Sequence, residues 1–600
     1  MKFTLSWLKE HLETEASLET IVDTLTNIGL EVEEVSDRTA ELAPFTVARV
    51  IEARQHPDAD RLKVCVVDTG SETVEVVCGA PNARTGMYGV FAPVGSVLPG
   101  TGDKLKAAKI RGVPSNGMLC SERELGLSDE HEGIIELAEA PLGEPFAEYA
   151  GLADPAIEIA ITPNRQDCLG VGGVARDLAA AGIGRLRDRT PDPVAGSFES
   201  PLGVELEFDP ETAAACPYFV GRYIRGVKNG PSPAWLQQRL KAIGLRPISA
   251  LVDMTNFITF DRARPLHVFD PDSLAGNIRV RLARAGERVD ALNDKSYTLD
   301  DQVTVLADDN GAHGLGGVIG SVTTGCTEDT TNVFIEAALF DSVRTAATGR
   351  RYQIESDARY RFERGVDPAA VVAGIEAATL LVLELCGGEA SELVFAGAEP
   401  DWQKNVTLRP GRIKALGGIE LSDDEITNIL ESLGFGVSSQ GDVFSVSVPS
   451  WRSDVDGEAD LVEEVTRIHG YHRVPAVPLD TGGRVTHPAL TPVQRRGPWA
   501  TRALAARGLQ EVVTWSFTSA AWLDLFGGVR EDLRLANPIS SELDVMRPSL
   551  LPNLIIAAGR NVDRGAQDLG LFEVGPSWRD PTPEGQDRVA AGFRRGRNGP

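Results

Sequence analysis

The sequence predicts a multidomain protein of the α+β class. Its 600 residues suggest about four domains at the usual ~150 residues per domain. The spacing of the apolar residues changes along the chain, from a helical period near the amino terminus to short β-branched runs and then to a mixture of both. With 42% hydrophobic and 24% charged residues, the chain has the composition of a folded protein with several cores.

The amino-terminal segment, residues 1–38, is predicted to be helical. Two groups of apolar residues recur there at helical spacing, and Gly29 follows the second group as a helix C-cap. We therefore expect two short helices. The apolar positions are Leu5, Leu8, Leu12, Ile21, Val22, Leu25 and Ile28.

A small all-β barrel is predicted next, within residues 39–148. From Phe45 to about Leu137 the chain consists of short β-branched runs separated by Gly, Pro and Asn. Such runs are typical of strands joined by tight turns. They lie at residues 47–51, 64–67, 74–77 and 89–91.

Residues 151–395 are predicted to form a large α+β module, because strand and helix patterns are mixed there. The strand patterns cover residues 204–208, 219–224, 303–307 and 333–337, and the clearest helix patterns cover 235–243 and 368–385.

Two further units are predicted beyond a boundary near residues 397–402. In the first, a small mixed domain at 400–476, a helix begins at Ser422 as N-cap with Glu425 three residues later. A Pro- and Gly-containing linker at 475–492 then leads into an α/β segment within residues 480–600.

The net charge of the chain limits how it can bind nucleic acid. A formal net charge of −28 repels polyanions at long range and excludes a nonspecific nucleic-acid binder. Any RNA contact must come from a local basic surface. One candidate is the basic cluster Lys104, Lys106, Lys109 and Arg111, which on charge alone is as compatible with an ordinary solvated face.

Cysteine usage and the amino terminus predict a cytoplasmic protein. The seven cysteines are scattered and contain no CxxC pair, so they indicate neither a disulfide framework nor a zinc site. Lys9, Glu10 and His11 interrupt the apolar stretch that a signal peptide needs, and no 18-residue uncharged apolar run occurs.

The strongest electrostatic feature is the acidic stretch at residues 451–465, WRSDVDGEADLVEEV. If a helix begins near Gly457, then Asp460, Glu463 and Glu464 share one face, and Asp454 precedes that helix by a turn. Carboxylates this close suit a hard cation such as Mg²⁺. A solvated acidic face is the alternative, and the nearby histidines, His469 and His472, only weakly suggest a transition metal.

Residues 170–175 match the GxGxxA fingerprint of dinucleotide-binding folds. The preceding ITPNRQDCL contains Pro163 and charged residues where a buried parallel strand is required. A helix start that packs closely against a neighbouring element explains these glycines better than a dinucleotide site.

Several long motifs of the chain resemble the β subunit of bacterial phenylalanyl-tRNA synthetase. They follow the order of that family from residue 1 to about 575. The motifs are HPDADRLKVC (56–65), VCGAPNAR (77–84), NGMLCSERELGLSDEHEGI (116–134), ITPNRQDCLGVGGVARDLAA (161–180), LVDMTNFITFDRARPLHVFD (251–270), SDARYRFERGVDP (356–368), VPSWRSDVDGEADLVEEVTRIHGY (448–471) and NPISSELDVMRPSLLPNL (537–554).

The resemblance implies a function for each predicted domain. Residues 39–148 correspond to a tRNA-binding OB-fold domain, which makes the basic cluster an RNA contact, and residues 151–395 to the B3/B4 editing module. Residues 400–476 correspond to the B5 domain and 480–600 to part of a non-catalytic synthetase-like module. The family's carboxy-terminal anticodon-binding domain is expected to be absent from this chain.

The resemblance also implies partners and cofactors. The chain would join an α subunit in an α₂β₂ tetramer that attaches phenylalanine to tRNA(Phe), with ATP bound by the α subunit. In the family the B5 carboxylates bind Mg²⁺ shared with the α subunit. The matching residues are Asp454, Asp460, Glu463 and Glu464.

An editing site has an independent physical rationale. An apolar pocket for phenylalanine rejects an analogue that only adds a hydroxyl by about a hundredfold, so mischarged Tyr-tRNA(Phe) must be hydrolysed elsewhere. By resemblance, Glu336 accepts a hydrogen bond from the tyrosine hydroxyl, and the ester is attacked by water without a covalent intermediate. The other predicted pocket residues are His267 and Arg246 beside the ester, Thr255 and Asn256 for substrate or water, and Ser356 and Ala358 in the wall.

One departure from the family concerns the glycine loop beside this pocket. Residues 316–321 read Gly-Gly-Val-Ile-Gly-Ser, where the family usually has Gly-Gly-x-Met-Gly-Gly. Ile319 and Ser321 therefore put the efficiency of editing in question. Two other functions are considered, namely a stand-alone tRNA-binding module and a free-standing hydrolase of mischarged tRNA.

Overall fold

The structure, a computed structural model, describes residues 1–478, 482–483 and 487–596. The parts of the predicted linker at 479–481 and 484–486, and the end of the predicted last module at 597–600, lie outside the described residues. The chain divides into two compact units, Met1–Ala476 and Val477–Pro600.

The amino-terminal segment contains the two predicted short helices. Thr4 and Ser17 cap them, since each side chain accepts a hydrogen bond from a backbone N–H in the first turn, and Gly29 follows the second helix with φ +91°. The elements are β1 (Lys2–Thr4), α1 (Leu5–His11), β2 (Leu12–Glu13), α2 (Leu18–Asn27) and β3 (Val32–Ser36).

The predicted barrel is built on a five-stranded antiparallel sheet in the order β10-β7-β4-β5-β6. A separate hairpin, β8–β9, carries the end of the basic cluster. The elements are α3 (Thr39–Leu42), β4 (Thr46–His56), β5 (Ala59–Asp68), β6 (Thr73–Cys78), β7 (Tyr88–Ala92), β8 (Ala108–Ile110), β9 (Val113–Ser115), β10 (Met118–Leu119) and α4 (Phe146–Tyr149).

The central module begins with a strand that returns to the amino-terminal segment, because β11 lies between β1 and β3 in one sheet. Its elements are β11 (Ala156–Ile159), α5 (Val171–Ala180), β12 (Arg185–Leu186), β13 (Val204–Glu207), β14 (Tyr218–Arg225), α6 (Ala234–Ala242), α7 (Ala250–Arg262), β15 (His267–Phe269), β16 (Ile278–Leu282), β17 (Arg288–Asp290), β18 (Ser296–Thr298), β19 (Thr304–Ala307), β20 (Ala312–Leu315), β21 (Ile319–Gly320), β22 (Asn332–Leu339), α8 (Ser342–Tyr352), α9 (Asp357–Phe362), α10 (Val371–Cys386) and β23 (Glu389–Gly397).

Two sheets organise the central module. A four-stranded antiparallel sheet has the order β15-β22-β14-β23, and a five-stranded sheet has the order β13-β16-β19-β20-β21. Side chains of β22 alternate between the two faces of its sheet. Val333, Ile335 and Ala337 pack with α7 and α10, whereas Phe334 and Ala338 pack with residues of the five-stranded sheet. Glu336 therefore points away from α7 and α10.

One described helical stretch, Pro368–Cys386, meets the length and composition of a membrane span, with a mean hydropathy of 2.0. Half of it is buried, and its buried residues belong to the core against the four-stranded sheet. Glu376 on this helix accepts a hydrogen bond from the buried Arg222 at 2.7 Å. Its apolar composition is therefore explained by packing in the core.

Within residues 400–476, where a small mixed domain is predicted, three strands form a sheet in the order β24-β26-β25. Ser422 and Glu425 form the predicted capping box. The elements are β24 (Lys404–Leu408), α11 (Asp423–Ser432), β25 (Gly436–Gln440), β26 (Val443–Val448) and α12 (Glu458–His469).

The second unit contains a long antiparallel ribbon, β30–β31, with β27 parallel to β30 on its other side. Its described elements are α13 (Pro492–Ala505), β27 (Gln510–Glu511), β28 (Phe517–Thr518), α14 (Ala520–Leu523), β29 (Val545–Met546), α15 (Leu551–Asp563), β30 (Leu569–Trp578) and β31 (Gln586–Arg595).

Candidate functional site

A narrow pocket of about 70 Å³ lies in the central module, on the face of the four-stranded sheet that turns toward the five-stranded sheet. Most of its wall is apolar, and Glu336, His267 and His313 are its ionisable residues. The wall is formed by Pro265, Leu266, His267, Phe269, Leu306, His313, Gly314, Leu315, Gly317, Val318, Ile319, Gly320, Glu336, Phe340, Ala358 and Phe362.

Glu336 and His267 are register partners on the antiparallel strands β22 and β15. Opposed side chains of such a pair lie on the same face, about 5 Å apart at their Cβ atoms. Glu336 is buried, and both Glu336 Oε2 and His267 Nε2 are enclosed without a hydrogen-bond partner among the described residues. His313 Nε2 in the same pocket also lacks a hydrogen bond but lies 2.7 Å from Asp308 Oδ1. Buried polar atoms are normally paired, so the Glu336 and His267 atoms indicate a ligand that supplies the missing partners.

Both groups are neutral at neutral pH. Burial raises the pKa of Glu336 to about 8, and burial lowers the pKa of His267 to about 4. In each case the apolar surroundings disfavour the charged form. A neutral carboxyl group both donates and accepts a hydrogen bond, as a phenol does.

The glycine loop leaves no room for a side chain at Gly320, and a side chain at Gly317 would be strained by its positive φ. A Cβ on Gly320 would lie 2.4 Å from His267 Cε1, and Gly317 has φ +68° with Phe340 3.1 Å from its Cβ position. Ile319 lines the pocket. Ser321 is buried outside the pocket wall, where its hydroxyl donates to Asp290 O at 2.8 Å. The serine in this loop therefore has a structural contact of its own.

Two further predicted residues lie at the pocket wall or beside it. Ala358 lines the pocket. Ser356 is the N-cap of α9, and its hydroxyl donates to Val318 O at 2.6 Å. It therefore holds the glycine loop against α9.

The structure does not bring the other three predicted residues into the wall of this pocket. Thr255 and Asn256 lie on α7, which packs on the opposite face of the four-stranded sheet, and the Thr255 hydroxyl donates to Val252 O. Arg246 is exposed in the loop between α6 and α7. A role for these residues beside the ester is not supported by this geometry.

His313 is a pocket residue that the sequence did not suggest. Its Nδ1 lies 3.1 Å from Thr323 Oγ1 and its Nε2 lies 2.7 Å from Asp308 Oδ1. The sequence signal that could have identified it is its position three residues before the glycine loop, because that loop lines the same pocket.

The four predicted metal-binding carboxylates do not form one site. Asp454 accepts two hydrogen bonds from Arg452, at 2.8 and 2.9 Å, and the buried Glu464 is held between Arg452 and Arg467. Neighbouring guanidinium groups already neutralise both carboxylates.

The other two carboxylates are also unsuited to a common cation. Asp460 Oδ2 accepts the backbone N–H groups of Asp456 and Gly457 at the start of α12, and Glu463 is exposed. The residues present therefore do not fit the expected Mg²⁺ site. Instead of a cation site, an ion-pair network is present, in which Arg467 also binds Asp177. Arg467 Nη1 donates to Asp177 Oδ2 at 2.9 Å.

The basic cluster is exposed on one side of the barrel. Lys109 lies in β8, and Arg111 lies in the turn of the β8–β9 hairpin with φ +47°. Lys104 and Lys106 lie in the loop that leads to this hairpin, and all four side chains are exposed. The structure thus places the four cations on one continuous segment.

Four family models match the chain along its length. A putative tRNA binding domain matches residues 45–145 and a B3/4 domain residues 215–387. A tRNA synthetase B5 domain matches residues 406–471, and a phenylalanyl tRNA synthetase beta chain CLM domain residues 481–597. Together with the observed sheets and helices, these matches confirm the predicted multidomain α+β class.

Similar proteins align over the whole chain. The phenylalanine–tRNA ligase beta subunit of Paramagnetospirillum magneticum is 57% identical over 598 residues, 100% of this chain and 75% of its own length. That of Rhodospirillum rubrum is 56% identical over 605 residues, with the same coverage. A solved N-terminal fragment of the phenylalanyl-tRNA synthetase β-subunit from Pyrococcus horikoshii covers 53% of this chain and 88% of its own at 20% identity, with a TM-score of 0.29.

Proposed function

The chain belongs to the family of phenylalanine–tRNA ligase β subunits, and on that premise we propose that its pocket around Glu336 hydrolyses Tyr-tRNA(Phe). The observation that carries the proposal is the pair of enclosed atoms without partners, Glu336 Oε2 and His267 Nε2, in an otherwise apolar pocket. A bound tyrosyl ester would supply hydrogen-bond partners for both of these atoms.

Selectivity follows from the cost of unpaired polar groups. The hydroxyl of a tyrosyl group would exchange hydrogen bonds with the neutral Glu336 carboxyl, whereas a phenylalanyl group would keep that carboxyl buried and unpaired. An unsatisfied buried group costs about 1–3 kcal/mol, and a site built around a substrate hydroxyl discriminates strongly against the analogue that lacks it. Tyr-tRNA(Phe) is therefore preferred over Phe-tRNA(Phe).

The chemistry is hydrolysis without a covalent protein intermediate. With His267 neutral, its Nε2 is available to hold the ester end or the attacking water by a hydrogen bond. Phe269, Phe340 and Phe362 exclude other water from the pocket. Positioning of the water against the ester is the main contribution of the site.

The rest of the chain serves the ligase as a whole. As a β subunit it acts with an α subunit and tRNA, and we propose the α₂β₂ stoichiometry, a cytoplasmic location, and binding of ATP and Mg²⁺ by the α subunit. The basic cluster of the barrel is the proposed RNA contact. Alignment of the whole chain with 75% of the length of ligase β subunits makes a stand-alone tRNA-binding module or a free-standing hydrolase the weaker alternatives.

Deacylation of purified Tyr-tRNA(Phe) and Phe-tRNA(Phe) tests the editing function, with the chain in complex with its α subunit. We expect Glu336→Ala to lose selective hydrolysis of Tyr-tRNA(Phe). Glu336→Gln should keep most of the selectivity at pH 7, because glutamine also donates and accepts. Glu355→Ala changes an exposed carboxylate of the same module and should leave both rates unchanged.

Equal hydrolysis of the two tRNAs by the unmodified complex would contradict the function itself. An unchanged preference for Tyr-tRNA(Phe) in Glu336→Ala would contradict the role of Glu336. Loss of selectivity in Glu336→Gln as complete as in Glu336→Ala would show that an ionised carboxylate is required.

A further inference from the structure

A cleft of about 450 Å³ lies in the first unit, apart from the Glu336 pocket. Its volume is in the range of small-molecule sites, about 300–1,000 Å³. The start of α5, the end of α7 and the segment that leads into α10 form its walls. None of the functions proposed above uses this cleft.

The amino terminus of α5 opens into the cleft without a side-chain cap. Its N-cap is Gly170, and Gly172 and Gly173 of the first turn line the cleft. The first N–H groups of a helix favour an anion, as does the helix dipole. Gly173 N–H already donates to Gly170 O at 3.0 Å, so the donor left for a ligand in the cleft is Gly172 N–H.

Packing accounts for two of the three glycines in residues 170–175. A Cβ on Gly170 would lie 2.3 Å from Ala263 N, and a Cβ on Gly173 would lie 1.9 Å from Asp167 O. The same distances show that the start of α5 touches the residue before Arg264. A Cβ on Gly172 would meet only Asp261 O and His11 Nδ1 at 3.5 Å, so packing does not explain this glycine.

Arg264 is an independent sign of a ligand. Only 1% of it is exposed, and its Nη1 and Nη2 donate to the backbone oxygens of Ala338 and Asp367, at 3.0 and 2.7 Å. Its Nε has no hydrogen-bond partner among the described residues. No carboxylate forms an ion pair with this guanidinium in the described part of the chain, and the Asp367 carboxylate acts on it only at longer range.

Arg176 adds a second cation to the wall. Its guanidinium lies 4.1 Å from the centre of the Trp451 ring, and its Nη1 lies 3.6 Å from Asp167 Oδ2 without a hydrogen bond. Trp451 thus fixes the plane of this side chain at the edge of the cleft.

The carboxylates that line the cleft are already held. Asp167 accepts two hydrogen bonds from Arg165 at 3.1 Å, and Asp261 accepts hydrogen bonds from Trp7 Nε1 at 2.8 Å and pairs with His11 at 2.6 Å. Asp188 and Asp367 accept backbone N–H groups in their own turns. These four carboxylates therefore already have hydrogen-bond donors, whereas Arg264 Nε has no acceptor among the described residues.

We propose that this cleft binds a small phosphate-bearing ligand, with a phosphate held between the first turn of α5 and Arg264. The phosphate oxygens accept the Gly172 N–H at the start of α5 and the Arg264 Nε–H. Arg176 provides a second charge or a planar surface for a base or ring attached to the phosphate.

Calorimetric titration of the full chain with inorganic phosphate and with AMP tests the proposal. We expect both to bind, and Arg264→Met to abolish binding. Because Arg264 is buried, that variant alone does not distinguish lost binding from lost folding. Gly172→Ala does, since its added methyl group meets only ordinary contacts and alanine favours the helix, yet the methyl group narrows the space beside the Gly172 N–H.

Gly172→Ala should weaken binding of both probes by about tenfold or more while the melting temperature stays the same or rises. Arg185→Ala removes an exposed cation outside the cleft wall and should leave binding unchanged. Binding of neither probe at concentrations up to about 10 mM, or full binding by Gly172→Ala, would overturn the proposal. Glu336→Ala should bind both probes normally, so this test is independent of the editing function.

Discussion

Glu336 and His267 lie opposite each other on β22 and β15, and each presents an enclosed polar atom without a partner. This relationship joins two residues 69 positions apart in the sequence. It places one neutral carboxyl group and one neutral imidazole in the same apolar pocket. The stability of the strand pair should therefore depend on pH.

The pH dependence of β22 is expected to come from Glu336. Its pKa is about 8 in the folded chain, against an ordinary 4.5, so between these values the folded state binds the proton and the unfolded state does not. The stabilisation is complete below pH 4.5 and is lost as the pH rises through 8. Between pH 4.5 and 7 the loss is about 3 kcal/mol.

Glu336→Gln does not titrate and should lack this loss. Hydrogen exchange of the β22 amides, measured for both proteins from pH 4.5 to 8, checks the prediction because it reports local rather than global opening. Parallel pH profiles of the two proteins would show that Glu336 is ionised in the folded chain.

Gly320→Ala should displace the His267 ring. Its Cβ would lie 2.4 Å from His267 Cε1, and a shift of about 1 Å in a catalytic group costs on the order of a hundredfold in rate. We therefore expect the rate of Tyr-tRNA(Phe) hydrolysis to fall by about 10- to 100-fold. Gly230→Ala, where a Cβ would meet nothing within 4 Å, is the control. A normal rate in Gly320→Ala would exclude a positioning role for His267.

Glu464→Gln should destabilise the first unit by about 3–5 kcal/mol, because it leaves Arg452 and Arg467 buried without their shared carboxylate. Glu463→Gln changes an exposed neighbour and should stay within about 0.5 kcal/mol. Urea unfolding measured with and without a chelator compares both variants. A stabilisation by Mg²⁺ that Glu463→Gln abolishes would contradict the ion-pair interpretation.

Lys109→Ala is expected to weaken tRNA binding mainly at low salt. Each phosphate contact that is lost lowers the slope of log affinity against log salt by about one. Lys295→Ala removes an exposed lysine of the central module and serves as the control. Equal effects of the two substitutions would mean that the β8–β9 hairpin carries no specific RNA contact.

The sequence by itself determined the local elements and the family. The Ser422–Glu425 capping box and the start of α12 at Gly457 depend on neighbours within one helical turn. The largely apolar run at 333–337 predicted a strand, and the long motifs predicted the order of the domains. These features are short-range, so spacing along the chain is enough to find them.

Only the tertiary structure decided how the charged and polar residues are used. Asp460, Glu463 and Glu464 share a helix in sequence, but Arg467 links Glu464 to Asp177, 290 residues away from Arg467, and that contact replaces a cation. The alternation of β22 likewise separates Glu336 from Thr255 and Asn256 on α7. Burial and ion pairing depend on groups that are distant in the chain, because the free energy of a charge is set by what surrounds it in space.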